Sequence, residues 1–406
     1  MVTLSGLEVL LQGLDGSAPS GGEGGALPDA LRGQRIGLVT NPAAVDRDLR
    51  QASDRLWAAG RGAAAPFRLT RLFGPEHGVR GDYVDGSSVP DSVDGATGLP
   101  VSSLYGEHRR PVAATLEDVD VLVVDLQDVG ARFYTYQVTV AGCLEAGAAH
   151  GRPVVVLDRP NPIGGLLVEG PALEPGFESF VGRRGQPVRH GLTLGEVAAT
   201  VNAGEGIGAD LTVVPCAGWR RADWWDATGL PWVIPSPNLP TPDTAAVYPG
   251  TCLLEGTLLS EGRGTTRPFE IVGAPWIDPD RWADALNERA LPGARFRPQW
   301  FRPATAKHAG VRCGGVQVHV TDREAFRPVA AGVHLIETAR RLWPGEFGWR
   351  PPSRDGDARA SRAIDRLYGS ADLRRRIDGG EDAASIVASW DGGAFEALRR
   401  DALRYP

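Results

Sequence analysis

The chain has 406 residues, of which 42% are hydrophobic and 23% are charged, and its formal net charge at pH 7 is -7. A chain of this length exceeds the usual size of one hydrophobic core, so we expect two domains. The net negative charge excludes nucleic acid or an anionic membrane as a partner held by bulk electrostatics, because such partners need a basic surface.

The sequence also lacks the features of a membrane protein, a secretory signal or a disulfide scaffold. No run of about eighteen apolar residues is present, and residues 1–14 lack the basic start and apolar core of a signal. We therefore expect a cytoplasmic protein, or an extracytoplasmic one from which a signal has been removed. The cysteines show no C-x-x-C spacing and are expected to be small buried residues. They are Cys143, Cys216, Cys252 and Cys313.

Strand and helix patterns alternate from residue 7 to residue 214, which predicts a parallel sheet with helices on its faces, in the Rossmann-like α/β class. No G-x-G-x-x-G sequence follows the first strand, so a dinucleotide cofactor is not implied. A capping box at Thr193 and Glu196 marks one helix start. The predicted helices cover 7–14, 49–57, 138–149 and 193–202, a loop covers 17–25, and the strands cover 35–39, a run ending at Phe73, 119–126, 154–157 and 211–214.

A proline-dense stretch over residues 231–249 is a natural boundary between domains. We predict a Rossmann-like domain over residues 1–245 and a smaller α+β domain over residues 246–406. The predicted elements of the second domain are a helix over 250–259, a helix over 280–290, a half-exposed strand over 316–320 and helices over 326–342, 358–367 and 383–400.

The densest group of reactive side chains follows the strand that ends at Phe73, in a loop framed by glycine and proline. The loop contains Glu76, His77, Arg80 and Asp82. Because polar groups at the carboxyl ends of sheet strands commonly build active sites in α/β proteins, we predict that this loop carries chemistry rather than being a solvated turn.

The next segment, residues 82–111, is rich in Gly, Pro, Asp and Ser and is too long for a simple connection. Long structureless insertions in α/β domains are usually lids or binding loops. Within it, Tyr105 and His108 are predicted either to contact a ligand or to anchor the loop.

Other polar clusters follow the remaining strands and the first helix of the second domain, and a site formed where they meet would hold several carboxylates. No G-x-S-x-G sequence occurs and the cysteines have no evident base, so serine or cysteine nucleophiles are disfavoured. The clusters are Asn41, as a turn residue or substrate contact; Asp125, Gln127 and Asp128; Asn161 and Glu169; and Glu261 with Arg263.

Several carboxylates suit two kinds of chemistry, and the residues leave both open. In glycoside hydrolysis one carboxylic acid protonates the leaving oxygen and a second group stabilises or attacks the oxocarbenium-like centre; Glu76 is the candidate acid. In metal binding, His77 with Asp125 or Asp128 would supply the first ligands.

The motifs in these loops resemble those of one bacterial family. They are Val-Thr-Asn-Pro at 39–42, Phe-Gly-Pro-Glu-His-Gly at 73–78, Asp-Leu-Gln-Asp-Val-Gly-Ala-Arg-Phe-Tyr-Thr-Tyr at 125–136, Asp-Arg-Pro-Asn-Pro-Ile at 158–163, Val-Glu-Gly-Pro at 168–171, Pro-Ser-Pro-Asn at 235–238 and Glu-Gly-Arg-Gly-Thr at 261–265. From Leu7 onward the chain is similar to the exo-acting β-N-acetylmuramidases of the NamZ-like family.

The resemblance implies a Rossmann-like catalytic domain and a smaller domain that closes the active-site cleft. It implies a glycosidase that releases N-acetylmuramic acid from the non-reducing ends of peptidoglycan-derived saccharides or muropeptides, with no required cofactor or metal. It also implies that Glu76 is the catalytic general acid. Asp125, Asp128, Glu169 and Glu261 are the candidates for the second group.

N-acetylmuramic acid carries a lactyl carboxylate, which an arginine binds bidentately. At least one of Arg80, Arg132 and Arg263 is predicted to face this group, and residues 82–111 would form the wall of the closed pocket that an exo enzyme needs. The predicted substrate-binding residues are Asn41, His77, Arg80, Asp125, Gln127, Arg132, Tyr136, Asn161, Asn238 and Arg263.

Two other functions stay open: a sugar- or muropeptide-binding protein without turnover, and a metal-dependent hydrolase of another bond. Replacement of Glu76 by Gln separates the first from a glycosidase, because a binding protein has no rate to lose. Activity that survives exhaustive chelation eliminates the second.

Overall fold

The computed structural model describes residues 2–15, 28–84, 86–352 and 362–406. The loop predicted over 17–25 and the first part of the helix predicted over 358–367 lie outside these ranges. Within the described ranges, every helix is too short or too polar to cross a membrane. Cys143, Cys216, Cys252 and Cys313 are free and buried, as predicted.

The N-terminal part of the chain is built on a mainly parallel sheet. Its strands, and those of a separate small hairpin (β7 and β8), are β1 (Arg35–Thr40), β2 (Arg68–Gly74), β3 (Ser92–Val93), β4 (Pro100–Ser103), β5 (Val121–Asp125), β6 (Val154–Leu157), β7 (Glu169–Ala172), β8 (Pro187–Arg189) and β9 (Leu211–Val214). Within the described residues the sheet order is β3-β4-β2-β1-β5-β6-β9, and β3 alone is antiparallel. The parallel strands therefore follow the doubly wound order 3-2-1-4-5-6, whose switch point lies between β1 and β5.

Helices cover both faces of this sheet, which explains why β5 is an unbroken buried run. Val121 and Val123 pack in one apolar cluster with residues of the first two helices, whereas Leu122 and Val124 pack in another with residues of the next two. The helices are α1 (Gly6–Leu14), α2 (Ala52–Ala59), α3 (Tyr136–His150), α4 (Leu194–Gly204) and α5 (Trp225–Thr228). The capping box predicted at the start of α4 is present.

The C-terminal part combines a small antiparallel sheet with helices. Its strands in the described ranges are β10 (Ile271–Ala274), β11 (Ala294–Phe301) and β12 (Cys313–Val320), in the order β10-β12-β11. Its helices are α6 (Pro242–Thr251), α7 (Pro279–Asn287), α8 (Pro328–Leu342), α9 (Ala363–Tyr368), α10 (Asp372–Asp378), α11 (Ala383–Ala388) and α12 (Gly393–Arg400). Residue 245, where we divided the chain, falls inside α6, and the division stays a prediction.

Some predicted elements were wrong. Residues 82–111 are not structureless, because they contain β4, which pairs in parallel with β2; its sequence, Pro-Val-Ser-Ser, carries almost no apolar signal. The helix predicted over 250–259 instead begins at Pro242, after the N-cap Thr241. The predicted helix over 383–400 is interrupted between α11 and α12. Strand β11 was missed because Pro298 and its exposed residues disguise it.

Candidate active site

The carboxyl ends of β2, β1 and β5 gather the main polar residues. Glu76 follows β2, Asn41 follows β1, and Gln127 and Asp128 follow β5. Since β1 lies between β2 and β5, and neighbouring strands are about 4.8 Å apart, Glu76 and Asp128 leave the sheet from strands about 10 Å apart on either side of Asn41. This is also the switch point of the sheet, where open α/β folds bind ligands.

Glu76 is oriented by donors from two other segments. Its Oε2 accepts a hydrogen bond from Thr135 Oγ1 at 3.0 Å, and its Oε1 accepts one from the Gly86 N–H at 3.1 Å. Tyr105 is a neighbour of both Glu76 and Arg109. Burial raises the pKa of Tyr105, Glu76 raises it further and Arg109 lowers it. The carboxylate is half-buried and held in one place at the rim of the sheet.

The turn that presents Glu76 requires unusual backbone angles. His77 has φ of 74°, in the left-handed region that residues other than glycine rarely adopt. The Gly78 N–H closes the turn by donating to the Pro75 carbonyl at 2.9 Å. The His77 ring is buried, and its Nδ1 lies 3.1 Å from the Tyr83 carbonyl oxygen. His77 thus fixes the loop around Glu76.

In the loops directly after β1 and β5, three side chains have polar atoms that are buried without a hydrogen-bond partner in the described residues, as has Thr40 at the last position of β1. The Gln127 N–H donates to Asn41 Oδ1 at 3.4 Å, and Gln127 Nε2 donates to the Asp128 and Pro160 carbonyls. The unpartnered atoms are Asn41 Nδ2, Gln127 Oε1 and Asp128 Oδ1. Such atoms are rare in folded proteins, and here they cluster at the switch point.

Asp128 is held through its other oxygen. The Gly130 N–H donates to Asp128 Oδ2 at 2.7 Å, and His190 Nε2 lies 3.4 Å from the same oxygen. The Leu192 N–H donates to His190 Nδ1 at 3.1 Å, and His190 Nε2, which faces the carboxylate, also lies 2.6 Å from Gln137 Nε2. Gly130 has φ of 81°, and a Cβ there would lie 2.6 Å from Asn161 Oδ1, so only glycine fits.

A pair of tyrosines connects the two carboxylate segments. The Tyr136 hydroxyl donates to the carbonyls of Glu76 and Pro235, each at 3.2 Å. The rings of Tyr134 and Tyr136 meet edge to face, with centroids 4.8 Å apart. Burial raises the pKa of Tyr134 well above its usual value, and Asp128 is among the neighbours that raise it further. Glu76 and Asp128 therefore border one aromatic cluster.

Arg80, a predicted substrate residue, lies in a structural ion-pair network. Each of its guanidinium nitrogens donates to protein, with Nε 2.7 Å from Asp94 Oδ1 and NH2 2.8 Å from Asp54 Oδ1. These hydrogen bonds raise the pKa of Arg80, and the Arg80 hydrogen bond lowers the pKa of Asp94 to about 2. The geometry favours anchoring of the segment after β2 over contact with a sugar.

Arg132 is fully buried, and its NH groups donate to the carbonyl oxygens of Pro171, Gln186 and Leu367 at 2.9, 2.6 and 2.7 Å. Burial lowers its pKa to about 9. Since Leu367 belongs to α9, this guanidinium joins the two parts of the chain. A lactyl carboxylate has no access to it here.

Glu261 and Arg263 form a separate cluster in the C-terminal part. Arg263 NH2 donates to Glu255 at 2.8 Å, and its Nε lies 3.6 Å from Glu261 Oε1. The single lysine of the chain, Lys307, lies 2.9 Å from Glu261 Oε2 and donates to the carbonyls of three residues in the same turn. These are Leu254, Thr257 and Leu259. Three converging carbonyls suit a compact ammonium rather than a planar guanidinium.

The remaining predicted residues have local structural partners. Asp125 is fully buried and accepts from Nε and NH2 of Arg159 at 2.5 and 3.0 Å. Asn161 Nδ2 donates to the Leu192 carbonyl at 2.9 Å. Asn238 is half-buried beside the Pro235 segment that receives the Tyr136 hydroxyl. Among the residues that the structure describes, no three His, Cys, Asp or Glu side chains come together as a metal site would require.

Glu169 caps a helix of the C-terminal part. Its Oε1 accepts from the Ala330 N–H at 2.7 Å, at the start of α8, and the side chain is 7% exposed. Burial raises its pKa to about 7, against a partial offset from the helix N–H groups and Arg189. Such a pKa suits a general acid, but Glu169 lies on the β7–β8 hairpin and not at the switch point.

We expect the buried Glu169 to make stability depend on pH. Its pKa is raised from 4.5 to about 7, so the folded state binds the proton more tightly than the unfolded state does. The free energy of unfolding therefore falls as pH rises from about 4.5 to about 7, by on the order of 3 kcal/mol. Glu169→Gln removes this fall. Urea unfolding of both proteins from pH 5 to 8 measures it, and parallel pH curves would contradict the prediction.

Comparison with known proteins shows to which family this chain belongs. Two family profiles, described as Exo-beta-N-acetylmuramidase NamZ, N-terminal and C-terminal, match residues 36–243 and 246–405. The Peptidoglycan beta-N-acetylmuramidase NamZ of Bacillus subtilis (strain 168) is 45% identical over 368 residues, which is 90% of this chain and 86% of that protein. The chain belongs to the exo-β-N-acetylmuramidase NamZ family.

Solved structures of related proteins agree with this assignment. A DUF1343 family protein from Bacteroides fragilis is 34% identical, with a TM-score of 0.86 over 100% of this chain and 99% of that chain. A second one from the same organism is 29% identical, with a TM-score of 0.73 over the same shares. The predicted α/β fold, a Rossmann-like sheet followed by a smaller α+β part, is thus confirmed, as is the NamZ resemblance.

Sequence reasoning missed several residues at the site. Thr135 lies inside a quoted motif but has no reactive group of its own, and His190 stands alone in its segment. Arg109 and Phe180, which flank Tyr105, belong to loops without a recognisable pattern.

Proposed function

We propose that this protein is an exo-β-N-acetylmuramidase that hydrolyses the bond linking a terminal N-acetylmuramic acid to the rest of a peptidoglycan-derived saccharide or muropeptide. The observation that carries the proposal is the pair of carboxylates, Glu76 and Asp128, placed on either side of Asn41 at the switch point of a NamZ-family sheet. The substrate class rests on the 45% identity to the Bacillus subtilis muramidase.

Glu76 is the proposed general acid. It is half-buried at the rim, and its two oxygens are already oriented by Thr135 and Gly86. Protonated Glu76 would give its proton to the glycosidic oxygen as the bond to the anomeric carbon breaks. The turn at His77 holds it at that rim.

Asp128 is the proposed second group. Its Oδ2 receives the Gly130 N–H and faces His190, which leaves Oδ1 as the atom available to an oxocarbenium-like centre. Glu169 and Glu261 support this role less well, because one caps α8 and the other pairs with Lys307. Asn41 Nδ2 and Gln127 Oε1 are the proposed contacts for substrate hydroxyl or acetamido groups.

The C-terminal part, residues 246–406, would close the cleft over these groups. Its contacts with the N-terminal part include the Ala330 N–H on Glu169 and the Leu367 carbonyl on Arg132. Tyr248 in α6 meets Tyr134 edge to face at 6.3 Å, beside Asp128.

The deciding test is hydrolysis of para-nitrophenyl β-N-acetylmuramide and para-nitrophenyl β-N-acetylglucosaminide by the full chain, each with and without EDTA. We expect colour from the muramide under both conditions. Colour from the glucosaminide alone would overturn the substrate, and loss of activity in EDTA that returns with a divalent cation would favour a metal-dependent hydrolase.

A further inference from the structure

The proposed substrate carries a lactyl carboxylate, and none of the three arginines predicted to bind it is suitably placed. Arg80 pairs with Asp54 and Asp94, and Arg132 is fully buried, with NH1 and NH2 donating to backbone carbonyls. Arg263 pairs with Glu255. A cation near Glu76 with its own donors available has to come from another segment.

Arg109 meets this requirement. Its guanidinium lies 4.2 Å from the ring centroid of Tyr105 and 4.4 Å from that of Phe180, and the two rings are 5.5 Å apart. The side chain is exposed, and no carboxylate pairs with it among the described residues. Its neighbour Arg110, in contrast, donates to Glu145 at 2.9 Å. Two aromatic rings thus hold an otherwise unneutralised guanidinium in place.

Tyr105 is the neighbour that Arg109 and Glu76 share: the Arg109 guanidinium lies 4.2 Å from its ring centroid, and Glu76 raises the pKa of its hydroxyl whereas Arg109 lowers it. Two groups within hydrogen-bonding reach of one hydroxyl lie within about 6 Å of each other. A pyranose ring separates its anomeric oxygen from a substituent on O3 by a comparable distance. A sugar whose glycosidic oxygen meets Glu76 can therefore place its O3 substituent against Arg109.

From this geometry we propose that Arg109, packed against Tyr105 and Phe180, binds the lactyl carboxylate and is the residue by which the enzyme distinguishes N-acetylmuramic acid from N-acetylglucosamine. The inference rests on the proposed function and adds the determinant of its specificity. Because the two ring centroids are only 5.5 Å apart, both rings lie on the same side of the guanidinium, and its other side is left for a bidentate contact with a carboxylate. The rings also lower the entropy that an exposed arginine would otherwise lose on binding.

Substrates that differ at the lactyl group alone provide the test. The full-length protein and its Arg109→Gln variant are assayed on para-nitrophenyl β-N-acetylmuramide and on its lactyl methyl ester. We expect the variant to lose about 10- to 100-fold in kcat/KM on the acid, the effect of one charge-assisted contact. On the ester the two proteins should be equal. Arg109→Lys should recover part of the loss, and Arg110→Gln is the matched control.

Several outcomes would overturn the inference. An equal loss of kcat/KM on acid and ester would mean a structural role for Arg109. No loss on either substrate would mean that Arg109 does not bind the lactyl carboxylate. If the variants do not fold, the wild type decides, because it must prefer the acid over the ester and be inhibited more strongly by N-acetylmuramic acid than by N-acetylglucosamine. A wild type inactive on both muramides overturns the proposed function as well, whereas an active one without that preference overturns the inference alone.

Discussion

Glu76→Gln is expected to lose about 10²- to 10⁴-fold in kcat on a β-linked N-acetylmuramyl disaccharide, the range that general acid catalysis contributes. The amide oxygen can accept from the Gly86 N–H while the amide NH2 donates to the Thr135 hydroxyl, so the fold and the affinity should persist, but the amide has no acidic proton to give. An aryl leaving group that is stable as an anion needs little protonation. The loss should therefore shrink on a 2,4-dinitrophenyl muramide.

The dependence on the leaving group separates catalysis from mere disturbance of the loop. Glu117→Gln, an exposed glutamate just before β5 and outside the proposed site, is the control and should keep full activity. Equal losses on the disaccharide and the dinitrophenyl substrate would remove Glu76 from the acid role. A protein that binds the disaccharide tightly and releases nothing, in wild type and variant alike, would be a binding protein.

Asp128→Asn should lower kcat by about 10²- to 10³-fold, the scale seen when one preorganised group that stabilises developing charge is removed. Because Asp128 is proposed to act at the anomeric carbon, the loss should be similar on the disaccharide and on the dinitrophenyl substrate. The neutral amide can still accept the Gly130 N–H, so stability should change little.

Single-turnover and steady-state rates on both substrates measure this effect. Asp210→Asn is the matched control, since Asp210 is an exposed aspartate at the amino end of the edge strand β9, whereas Asp128 follows the carboxyl end of β5. If Asp128→Asn keeps wild-type kcat while Glu169→Gln or Glu261→Gln abolishes it, the second group lies elsewhere in the cleft.

Much of the fold could be predicted from local pattern. The buried run of β5 predicts a parallel strand covered on both faces, and the capping box of α4 predicts the start of a helix. Both could be recognised in the sequence because each depends on residues that are neighbours in the chain. Strand β4 could not be predicted, since its four residues are stabilised by pairing with β2 rather than by their own hydrophobicity. The start of α6 was misplaced because the prolines around it favour a loop.

The site was predictable as a set of loops but not as a set of contacts. Glu76 and Asp128 stand at strand ends, where the fold class alone points to function. The partners of Arg80, namely Asp54 and Asp94, come from other segments, and no local feature distinguishes a saturated arginine from an available one. Arg109 could not be identified from the sequence, because Phe180, one of the two rings that it contacts, belongs to a distant loop.

The cross-connections made by Arg132 and Glu169 bear on how a muropeptide reaches the catalytic centre. Separation of the N-terminal and C-terminal parts would break the hydrogen bonds from Arg132 to the Leu367 carbonyl and from the Ala330 N–H to Glu169. It would leave two buried charged groups without these partners, which is costly. Residues 107–110, which include Arg109, are exposed, so their displacement removes no buried charge from its partner and costs less free energy. We therefore expect substrate entry and product exit to proceed by local movement of that segment, while the N-terminal and C-terminal parts stay in contact through turnover.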